Sequence, residues 1–423
     1  MGRGLDLIYG GAALVTSPLW LTTMAARGKL RTEWAARLGR CEPWPRQQRD
    51  GRRTPRVLVH AVSVGEVNAI RDLVADLARD HEVVVSVTTD TGIARARSVF
   101  APPVRVVRYP FDFSGAVASV LDAVQPDVVA LAELELWPNF TQACERRGIP
   151  ICIVNGRLSE RSFRRSLKVR PLLLPMFRRV AAVGAQTDAY AERFRAMGVE
   201  HDRVRVVGTM KWDTARIAET VDGADALAAA LGIDRSRPLV VAGSTEPCEH
   251  ALLRDAVPAG VQLLCAPRKP EWFDDAARDL PGCARRSMGT CGSATGRFLL
   301  DTIGELRMAY ALADVVVVGR SFGELHGSDM IEPVALGKAT VIGPRWGDFT
   351  EPAEALMAAG ALVQVDAGML SGTLSGLLND PAHRARMADA GRAVIRARQG
   401  ATARNAALVR AAFAAATPGE SHA

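Results

Sequence analysis

Short apolar runs rich in valine alternate with amphipathic stretches along the chain from about residue 55. In the first half, these runs begin at Val57, Glu82, Arg105, Asp127, Pro150, Arg179 and Arg203. A second series follows, with the runs PLVVAGST, VQLLCAPR, RFLLDTIG, DVVVVGRS, ATVIGP and ALVQVD. Because strands that alternate with helices form parallel sheets covered by helices, the pattern predicts an α/β fold.

An Ala- and Asp-rich stretch between about residues 213 and 236 separates the two series. The length of 423 residues also exceeds what one hydrophobic core usually supports. We therefore predict an N-terminal α/β domain over residues 31–215 and a C-terminal one over residues 216–423. Apolar residues at helical spacing between about Pro381 and Ala416 predict one or two helices that close the C-terminal domain.

Residues 1–30 predict a membrane-anchor helix. Leu7–Ala26 holds 20 residues without a charge, the length that a helix needs to cross hydrocarbon. Threonine, serine and proline dilute this run, so a span and an interfacial anchor both remain open. Three cations follow directly, namely Arg27, Lys29 and Arg31, and they favour a cytoplasmic location at the inner membrane for the rest of the chain. A cleaved signal peptide is the third alternative, disfavoured because Arg3 and Asp6 cancel in charge.

Composition narrows the class of partner. A net charge of +7 and a pI near 9.3 favour anionic partners such as acidic lipids or phosphorylated substrates. Nucleic acid is a weaker candidate, because aromatic residues make up only 5% of the chain. The seven cysteines are odd in number and form no CxxC pair. They predict free thiols in a reducing compartment and no metal site.

Two clusters in the first half lie where predicted strands end, the edge at which α/β sheets bind ligands. Ser63-Val64-Gly65-Glu66 begins a helix whose amides suit an anion or a sugar. The alternative is a capping box between Ser63 and Glu66. Glu133 and Glu135 stand at alternating positions after a buried strand, where carboxylates commonly bind a ligand.

Similar strand ends occur in the second half. Gly243-Ser244-Thr245 predicts a turn whose amides receive a phosphate. Pro267 and Arg268 end the next strand, and Asp301–Glu305 ends another. Arg268 suits a phosphate, and Glu332 suits ribose hydroxyls. The alternative for Glu332 is a carboxylate that only stabilises the start of a helix.

Taken in order, these strings resemble the 3-deoxy-D-manno-octulosonic acid (Kdo) transferases. The resemblance spans nearly the whole chain and rests on HAVSVGEV, ELWPN, NGRLSERSF, GTMKWD, AGST, PRKPEWF, DTIGEL and EPVALGK. It implies a GT-B fold, in which two Rossmann-like domains face a central cleft behind a membrane anchor. It also implies transfer of Kdo from CMP-Kdo to a phosphorylated lipid A precursor in lipopolysaccharide core synthesis, without a metal or another cofactor.

The resemblance assigns residues to both substrates. The acceptor site in the N-terminal domain is expected to contain Ser63, Gly65, Glu66, Glu133, Glu135, Asn155 and Arg157. The donor site in the C-terminal domain is expected to contain Gly243, Ser244, Thr245, Pro267, Arg268, Gly304, Glu305, Ser328, Asp329 and Glu332. Asp329 stands where the family has an amide, so it is expected to repel an anionic donor unless Arg320 or His326 pairs with it.

The resemblance further implies an inverting reaction with a glutamate as the general base. That glutamate belongs to a Trp-Gly-Glu-Arg segment, and the matching segment of this chain is Trp34-Ala35-Ala36-Arg37. Ala36 cannot accept a proton, and Glu33, three residues earlier, is the predicted substitute. Two alternatives follow from these departures, namely a transferase for another CMP-activated acid or acceptor, and an inactive nucleotide-binding protein.

The basic and apolar stretch between Arg161 and Arg179 has two interpretations. A helix that touches anionic lipid and acyl chains would combine cations with large apolar side chains in this way. A core helix with a solvated basic face would show the same composition.

Overall fold

The structure is a computed structural model that describes residues 4–7, 9–11, 33–49 and 52–416. The chain forms two compact units. The first contains the chain up to Thr214 together with the residues from Gln399 onward, and the second is Ala215–Arg398. Each unit is an α/β sandwich built on its own parallel sheet.

The first unit contains a sheet of seven parallel strands in the order β5-β4-β3-β6-β7-β8-β9. The strands are β3 (Arg56–Ala61), β4 (Glu82–Val87), β5 (Arg105–Arg108), β6 (Val128–Ala132), β7 (Ile151–Gly156), β8 (Val180–Ala185) and β9 (Val204–Val206). A short antiparallel hairpin, β1 (Gln48–Arg49) and β2 (Arg52–Arg53), precedes them. All seven sheet strands lie where the apolar runs predicted them.

Helices cover both faces of this sheet. They are α1 (Trp34–Arg37), α2 (Val64–Ala69), α3 (Arg71–Leu77), α4 (Asp90–Val99), α5 (Ser114–Val124), α6 (Pro138–Arg146), α7 (Glu160–Lys168), α8 (Arg170–Arg178) and α9 (Asp188–Met197). Successive residues of β3 enter different cores: Val57 packs with Leu73 of α3, whereas Leu58 packs with Leu121 of α5. This two-sided burial explains why the strands are continuous apolar runs.

The second unit repeats the arrangement with seven parallel strands in the order β12-β13-β11-β10-β14-β15-β16. The strands are β10 (Leu239–Thr245), β11 (Gln262–Pro267), β12 (Ala284–Arg285), β13 (Arg297–Leu299), β14 (Val315–Val318), β15 (Ala339–Ile342) and β16 (Leu362–Gln364). Only the short edge strand β12 has no counterpart among the predicted runs. The prediction of two Rossmann-like α/β domains is therefore confirmed.

The helices of the second unit connect these strands. They are α10 (Ala224–Leu231), α11 (Pro247–Ala256), α12 (Phe273–Asp279), α13 (Leu306–Leu312), α14 (Ile331–Ala335), α15 (Thr350–Ala358), α16 (Leu370–Asn379) and α17 (Pro381–Arg398). Single 3₁₀ turns occur in both units, at His201–Arg203, Met210–Trp212, Pro270–Trp272, Gly347–Phe349 and Ala367–Met369.

The last helix, α18 (Ala401–Ala416), corrects the prediction that residues up to 423 belong to the C-terminal domain. Ala406 and Val409 are fully buried in the core of the first unit. The carboxamide of Asn405 accepts a hydrogen bond from the amide of Asn155 at 3.1 Å. Arg410 pairs with Asp76 of α3 at 2.9 Å. Helix α18 therefore completes the first unit, and α17 is the helix that closes the second.

The predicted anchor lies mostly outside the described residues. Residues 4–7 and 9–11 are helical, and Asp6 accepts a hydrogen bond from the amide of Ser114 at 2.9 Å. No helix within the described part of the chain is long and apolar enough to cross a membrane. The anchor over residues 1–30 therefore stays a prediction.

Candidate substrate-binding sites

Each sheet has one point at which the strand order reverses. In the first sheet it lies between β3 and β6, and in the second it lies between β10 and β14. Open α/β sheets bind ligands in the crevice beyond the carboxyl ends of the strands at such a switch point. The predicted clusters Ser63–Glu66 and Glu133–Glu135 follow β3 and β6, and Gly243–Thr245 ends β10. The topology thus brings predicted site residues to both switch points.

In the first unit, Ser63 caps the start of α2. The Ser63 hydroxyl accepts a hydrogen bond from the Glu66 amide at 3.4 Å and donates one to Oε1 of Glu66 at 3.1 Å. Oε2 of Glu66 accepts from the Val62 amide at 2.8 Å. Gly65 is exposed beside them. The cap by Ser63 is therefore present, but the reciprocal bond of a capping box is not, because Glu66 accepts from the Val62 amide in place of the Ser63 amide. These bonds hold a partly exposed carboxylate at the switch point.

Three carboxylates meet at this switch point. Burial raises the pKa of Glu66, and the nearby charges of Glu133 and Glu135 raise it further, although two hydrogen bonds oppose them. Burial also raises the pKa of Glu135, helped by Glu133, while Trp137 donates a hydrogen bond to Oε2 of Glu135 at 3.0 Å. Carboxylates with raised pKa values are better proton acceptors near neutral pH than ordinary ones.

Asn155 and Arg157 lie at the end of β7, but they differ in exposure. The Asn155 side chain is buried, and its Oδ1 accepts a hydrogen bond from the amide of Met210 at 3.1 Å. Its backbone is left-handed, with φ of 51°. Arg157 is exposed, and its side chain makes no ion pair with any described residue. Asn155 therefore stabilises the end of the strand through its hydrogen bonds, whereas Arg157 is accessible for binding an anion.

Glu33, the predicted substitute base, lies in an ion-pair network at the ends of β4 and β5. Its Oε1 accepts a hydrogen bond from Arg97 at 3.0 Å, and its Oε2 accepts one from Arg108 at 3.1 Å. Partial burial would raise its pKa, but these two arginines lower it overall. Arg108 also pairs with Asp90 at 2.9 Å. Glu33 is therefore an ionised and stabilised carboxylate, which makes it a weaker base.

Ala36 lines an open depression beside this network. The depression has a volume of about 480 Å³, and Glu33, Arg97, Arg105 and Arg108 also line it. The methyl group of Ala36 offers neither a proton acceptor nor a hydrogen bond at this position. Arg40 and Glu42 line it as well, so four guanidinium groups and two carboxylates give the depression a positive balance.

In the second unit, the carboxylate of Glu249 accepts hydrogen bonds from the backbone amides at the switch point. Its side chain is fully buried, and Oε2 accepts hydrogen bonds from the amides of Glu246 at 2.9 Å and Arg320 at 2.8 Å. Oε1 accepts from the amides of Ser321 at 2.8 Å and Phe322 at 3.0 Å. Glu246 caps the same helix in return. The start of α11 is thus capped by the chain's own carboxylates.

The predicted turn Gly243-Ser244-Thr245 is tightly packed. A Cβ on Gly243 would lie 2.1 Å from the hydroxyl of Tyr310, so only glycine fits there. Ser244 is left-handed, with φ of 57°, and its side chain is hydrogen-bonded to Tyr310. The Thr245 hydroxyl lies 3.1 Å from Nε2 of His250. The turn is therefore rigid, and Arg268 is the exposed cation beside it.

Arg268 is attached to this turn through its backbone. Its amide donates a hydrogen bond to the carbonyl of Thr245 at 3.0 Å. Pro267 before it is buried, whereas Arg268 is exposed, and its guanidinium has no ion-pair partner among the described residues. This placement leaves the guanidinium available for a phosphate.

Gly304 and Glu305 lie in the loop after β13. Gly304 is left-handed, with φ of 98°. Glu305 precedes α13 and accepts two hydrogen bonds from Arg286, at 3.0 and 3.2 Å. Thr302 donates a further one. Glu305 is thus neutralised by a cation that the sequence did not indicate.

The remaining predicted donor residues surround α14. Burial raises the pKa of Glu332, and Asp329 raises it further, while Arg307 opposes both at 3.5 Å. Asp329 is exposed, and its Oδ1 accepts a hydrogen bond from the Ile331 amide at 2.8 Å. The hydroxyl of Ser328 is buried without a hydrogen-bond partner among the described residues. Asp329 therefore acts as a local cap at the start of α14.

No three His, Cys, Asp or Glu side chains in the described ranges are placed so that they would hold a metal ion. The expectation of a reaction without a metal stays a prediction.

Comparisons with known proteins identify the family to which the chain is similar. The family model for 3-deoxy-D-manno-octulosonic-acid transferase (kdotransferase) matches residues 32–214. A 3-deoxy-D-manno-octulosonic acid transferase of Bordetella pertussis is 33% identical, covering 96% of this chain and 98% of that protein. One of Haemophilus influenzae is 29% identical, covering 82% and 85%. A glycosyltransferase structure from Rickettsia africae matches with a TM-score of 0.57 at 10% identity, over 85% of this chain and 99% of that one, a likeness in fold alone.

Proposed function

The chain belongs to the 3-deoxy-D-manno-octulosonic acid (Kdo) transferase family, and we propose that it transfers Kdo from CMP-Kdo to a phosphorylated lipid A-type acceptor. The observation that carries this proposal is the 33% identity to the Bordetella enzyme over nearly the full length of both chains. The gathering of predicted residues at the two switch points supports it, since that is where α/β sheets bind ligands. In this proposal the first unit binds the acceptor and the second binds the donor.

The proposed reaction is a single displacement. The oxygen of an acceptor hydroxyl attacks the anomeric carbon of Kdo, and the bond from that carbon to the phosphate oxygen breaks. The electron pair of that bond leaves with CMP, and the proton of the hydroxyl passes to a carboxylate of the protein. Attack from the face opposite the phosphate inverts the anomeric centre. The reaction needs no metal if protein cations stabilise the departing phosphate.

We place proton acceptance at the carboxylates of the first switch point. Glu66 and Glu135 have raised pKa values because they are partly buried near other carboxylates. Glu33 is held by Arg97 and Arg108, and its pKa is lowered. A stronger base accepts a proton more readily in the transition state, provided that it is ionised. Glu33 then orders the arginines around the depression at Ala36.

The membrane role is a further part of the proposal. Residues 1–30 anchor the chain at the cytoplasmic face of the inner membrane, and helices α7 and α8 lie against it. Leu167, Val169 and Leu172 are 41%, 45% and 77% exposed among several arginines. Exposed apolar side chains flanked by cations favour a surface of anionic lipid.

The first experiment measures transfer of labelled Kdo, from CMP-Kdo generated in situ, to a tetraacylated lipid A precursor. The wild-type protein is compared with Arg268→Ala and with the matched control Arg278→Ala, whose side chain is 76% exposed and pairs with Asp275. We expect product from wild type and the control, and a loss of about tenfold or more with Arg268→Ala. A folded wild-type protein that binds CMP but transfers no Kdo would contradict the proposal and favour another CMP-activated acid.

The position of the base is tested in the same assay with glutamine variants. We expect Glu66→Gln or Glu135→Gln to lower kcat by about 10²- to 10⁴-fold, the usual effect of losing a general base. Glu33→Gln is expected to lower it less, because its carboxylate is already neutralised by arginines. If Glu33→Gln loses most activity while Glu66→Gln and Glu135→Gln stay active, Glu33 is the general base.

A further inference from the structure

Arg320 lies at the second switch point and has no role in the reaction proposed above. It follows β14 by two residues, and its backbone is left-handed, with φ of 59°. This conformation is unfavourable for a residue with a Cβ and would be easier for glycine. Side chains kept in such a conformation cluster at ligand sites. The position of Arg320 therefore indicates a role for its guanidinium.

The backbone around Arg320 is fixed on both sides. Its amide donates to Oε2 of Glu249 at 2.8 Å, and its carbonyl accepts from the amide of Gly327 at 2.7 Å. A Cβ on the preceding Gly319 would lie 2.5 Å from Cα of Thr245, so β14 and the end of β10 are in close contact. Arg320 is thus held rigidly beside the turn that ends β10.

Arg268 approaches the same turn from the other side. Its amide donates to the Thr245 carbonyl at 3.0 Å, and its strand β11 neighbours β10 opposite to β14. The end of β10 therefore lies between Arg268 and Arg320. Two arginines therefore flank the strand end at which such folds bind ligands.

These two arginines differ from neighbouring arginines in their ion pairing. Arg286 pairs with Glu305 and Arg307 pairs with Glu332. Arg320 is half-buried. Within the described part of the chain its guanidinium makes no ion pair, although Glu246 interacts with it electrostatically. Arg268 and Arg320 are therefore available for anionic groups of a ligand.

We infer that Arg320 determines donor specificity by binding the carboxylate of the transferred sugar acid, while Arg268 binds the phosphate of the nucleotide. The inference rests on the proposed function, because CMP-Kdo carries these two anionic groups. A planar guanidinium binds a carboxylate through two parallel hydrogen bonds. A donor that lacks the carboxylate would leave Arg320 half-buried and unpaired, which disfavours neutral sugars.

The test measures dissociation constants of freshly generated CMP-Kdo and of CMP, without acceptor, for wild type, Arg320→Gln, Arg320→Lys and Arg320→Gly. Arg320→Gly relieves the left-handed strain, so it folds at least as well as wild type, and thermal unfolding checks this. Arg386→Gln removes one exposed arginine of α17 as a matched control for charge. We expect the Gln and Gly variants to weaken CMP-Kdo by about ten- to a hundredfold, with CMP changed less than about twofold. The Lys variant should lie between.

Three results would overturn the inference. CMP-Kdo affinity that stays unchanged in both the Gln and Gly variants would show that Arg320 contacts no part of the donor. Equal weakening of CMP and CMP-Kdo would place the guanidinium at the phosphate. Equal affinities of the wild-type protein for the two ligands would mean that the carboxylate is not recognised. Kdo transfer, measured separately, reports on the proposed function, so a failure of either proposal is identified independently.

Discussion

The two switch points both carry glutamates, but they use them in opposite ways. In the second unit, Glu249 is fully buried and accepts hydrogen bonds from four backbone amides. In the first unit, Glu66, Glu133 and Glu135 are only partly buried, and their charges repel one another. The Glu249 carboxylate is fully occupied by the backbone, whereas the three carboxylates of the first unit keep part of their surface accessible to a ligand.

The difference shows that environment, and not residue type, decides what a carboxylate does. The Glu249 carboxylate accepts hydrogen bonds from four backbone amides and so joins two loops, which makes this residue structural. Burial and like charges destabilise the charged forms of Glu66 and Glu135. Binding a proton or a hydrogen-bond donor of a ligand therefore stabilises these side chains. Substitutions at the two switch points should therefore separate folding from activity.

The largest effect on stability is expected from Glu249→Ala. The variant leaves four amides without their acceptor, two of them on Ser321 and Phe322, and should lower the free energy of unfolding of the second unit by about 3 kcal/mol or more. Urea unfolding measures the change. Glu271→Ala is the matched control, because its side chain is 65% exposed and should matter by less than about 0.5 kcal/mol. Equal stability of the two variants would refute the structural role of Glu249.

A smaller effect on stability is expected when a glycine at each switch point is replaced by alanine. In Gly243→Ala the new Cβ would lie 2.1 Å from the Tyr310 hydroxyl, so overpacking should cost about 1–3 kcal/mol. In Gly65→Ala the nearest atom is the Ser63 hydroxyl at 3.8 Å, and a helical alanine should stabilise by up to about 1 kcal/mol. Thermal unfolding of both variants tests the contrast.

The same pair of variants also sharpens the functional comparison. A Gly65→Ala protein that folds normally but transfers less Kdo would indicate that the acceptor contacts the start of α2. Equal destabilisation by the two substitutions would contradict the difference in packing between the switch points.

The sequence predicted the sheets well because both are buried on two faces. Runs such as Val315–Val318 are fully buried, and such runs, bounded by turns, can be recognised without tertiary information. The rule that ligands bind at the carboxyl ends of strands then placed Ser63, Glu133 and Gly243 at the two switch points.

The sequence could not predict which core each helix joins. Helical spacing in the last 40 residues indicates apolar faces, but α17 and α18 have similar compositions. The assignment depends on distant partners, such as Asn155 for Asn405 and Asp76 for Arg410. Local pattern carries no signal for such contacts, so the sequence alone places residues 399–416 in the wrong domain.

The same limit applies to the candidate sites. Glu249 lies inside a helix, and Arg97 and Arg108 are far from Glu33 in sequence, so no local motif indicated their contacts. Arg320 was visible, because it follows the strand DVVVVG directly. The strand-end rule alone would have marked it as a candidate, whereas its left-handed backbone needed the structure.

The smallest expected effect is a pH dependence that links folding and activity at the first switch point. Because the folded protein raises the pKa of Glu66 above 4.5, the folded state binds that proton more tightly than the unfolded state. Its contribution to stability is therefore fully present below the ordinary pKa of glutamate and is lost as the pH rises through the folded pKa. Activity should rise over the same range, since a general base must be ionised.

Urea unfolding between about pH 4 and pH 7 tests this dependence, with a change below about 1 kcal/mol expected. Glu66→Gln keeps an oxygen that can accept from the Val62 amide but removes the titration, so its stability should fall less with rising pH than that of wild type. Glu33→Gln is the matched control of opposite sign, because the pKa of Glu33 is lowered and its contribution is lost as the pH falls. Parallel pH profiles for all three proteins would show that neither carboxylate has a pKa that differs between the folded and unfolded states. The contrast between a proton acceptor at the switch point and a carboxylate neutralised by arginines would then fail.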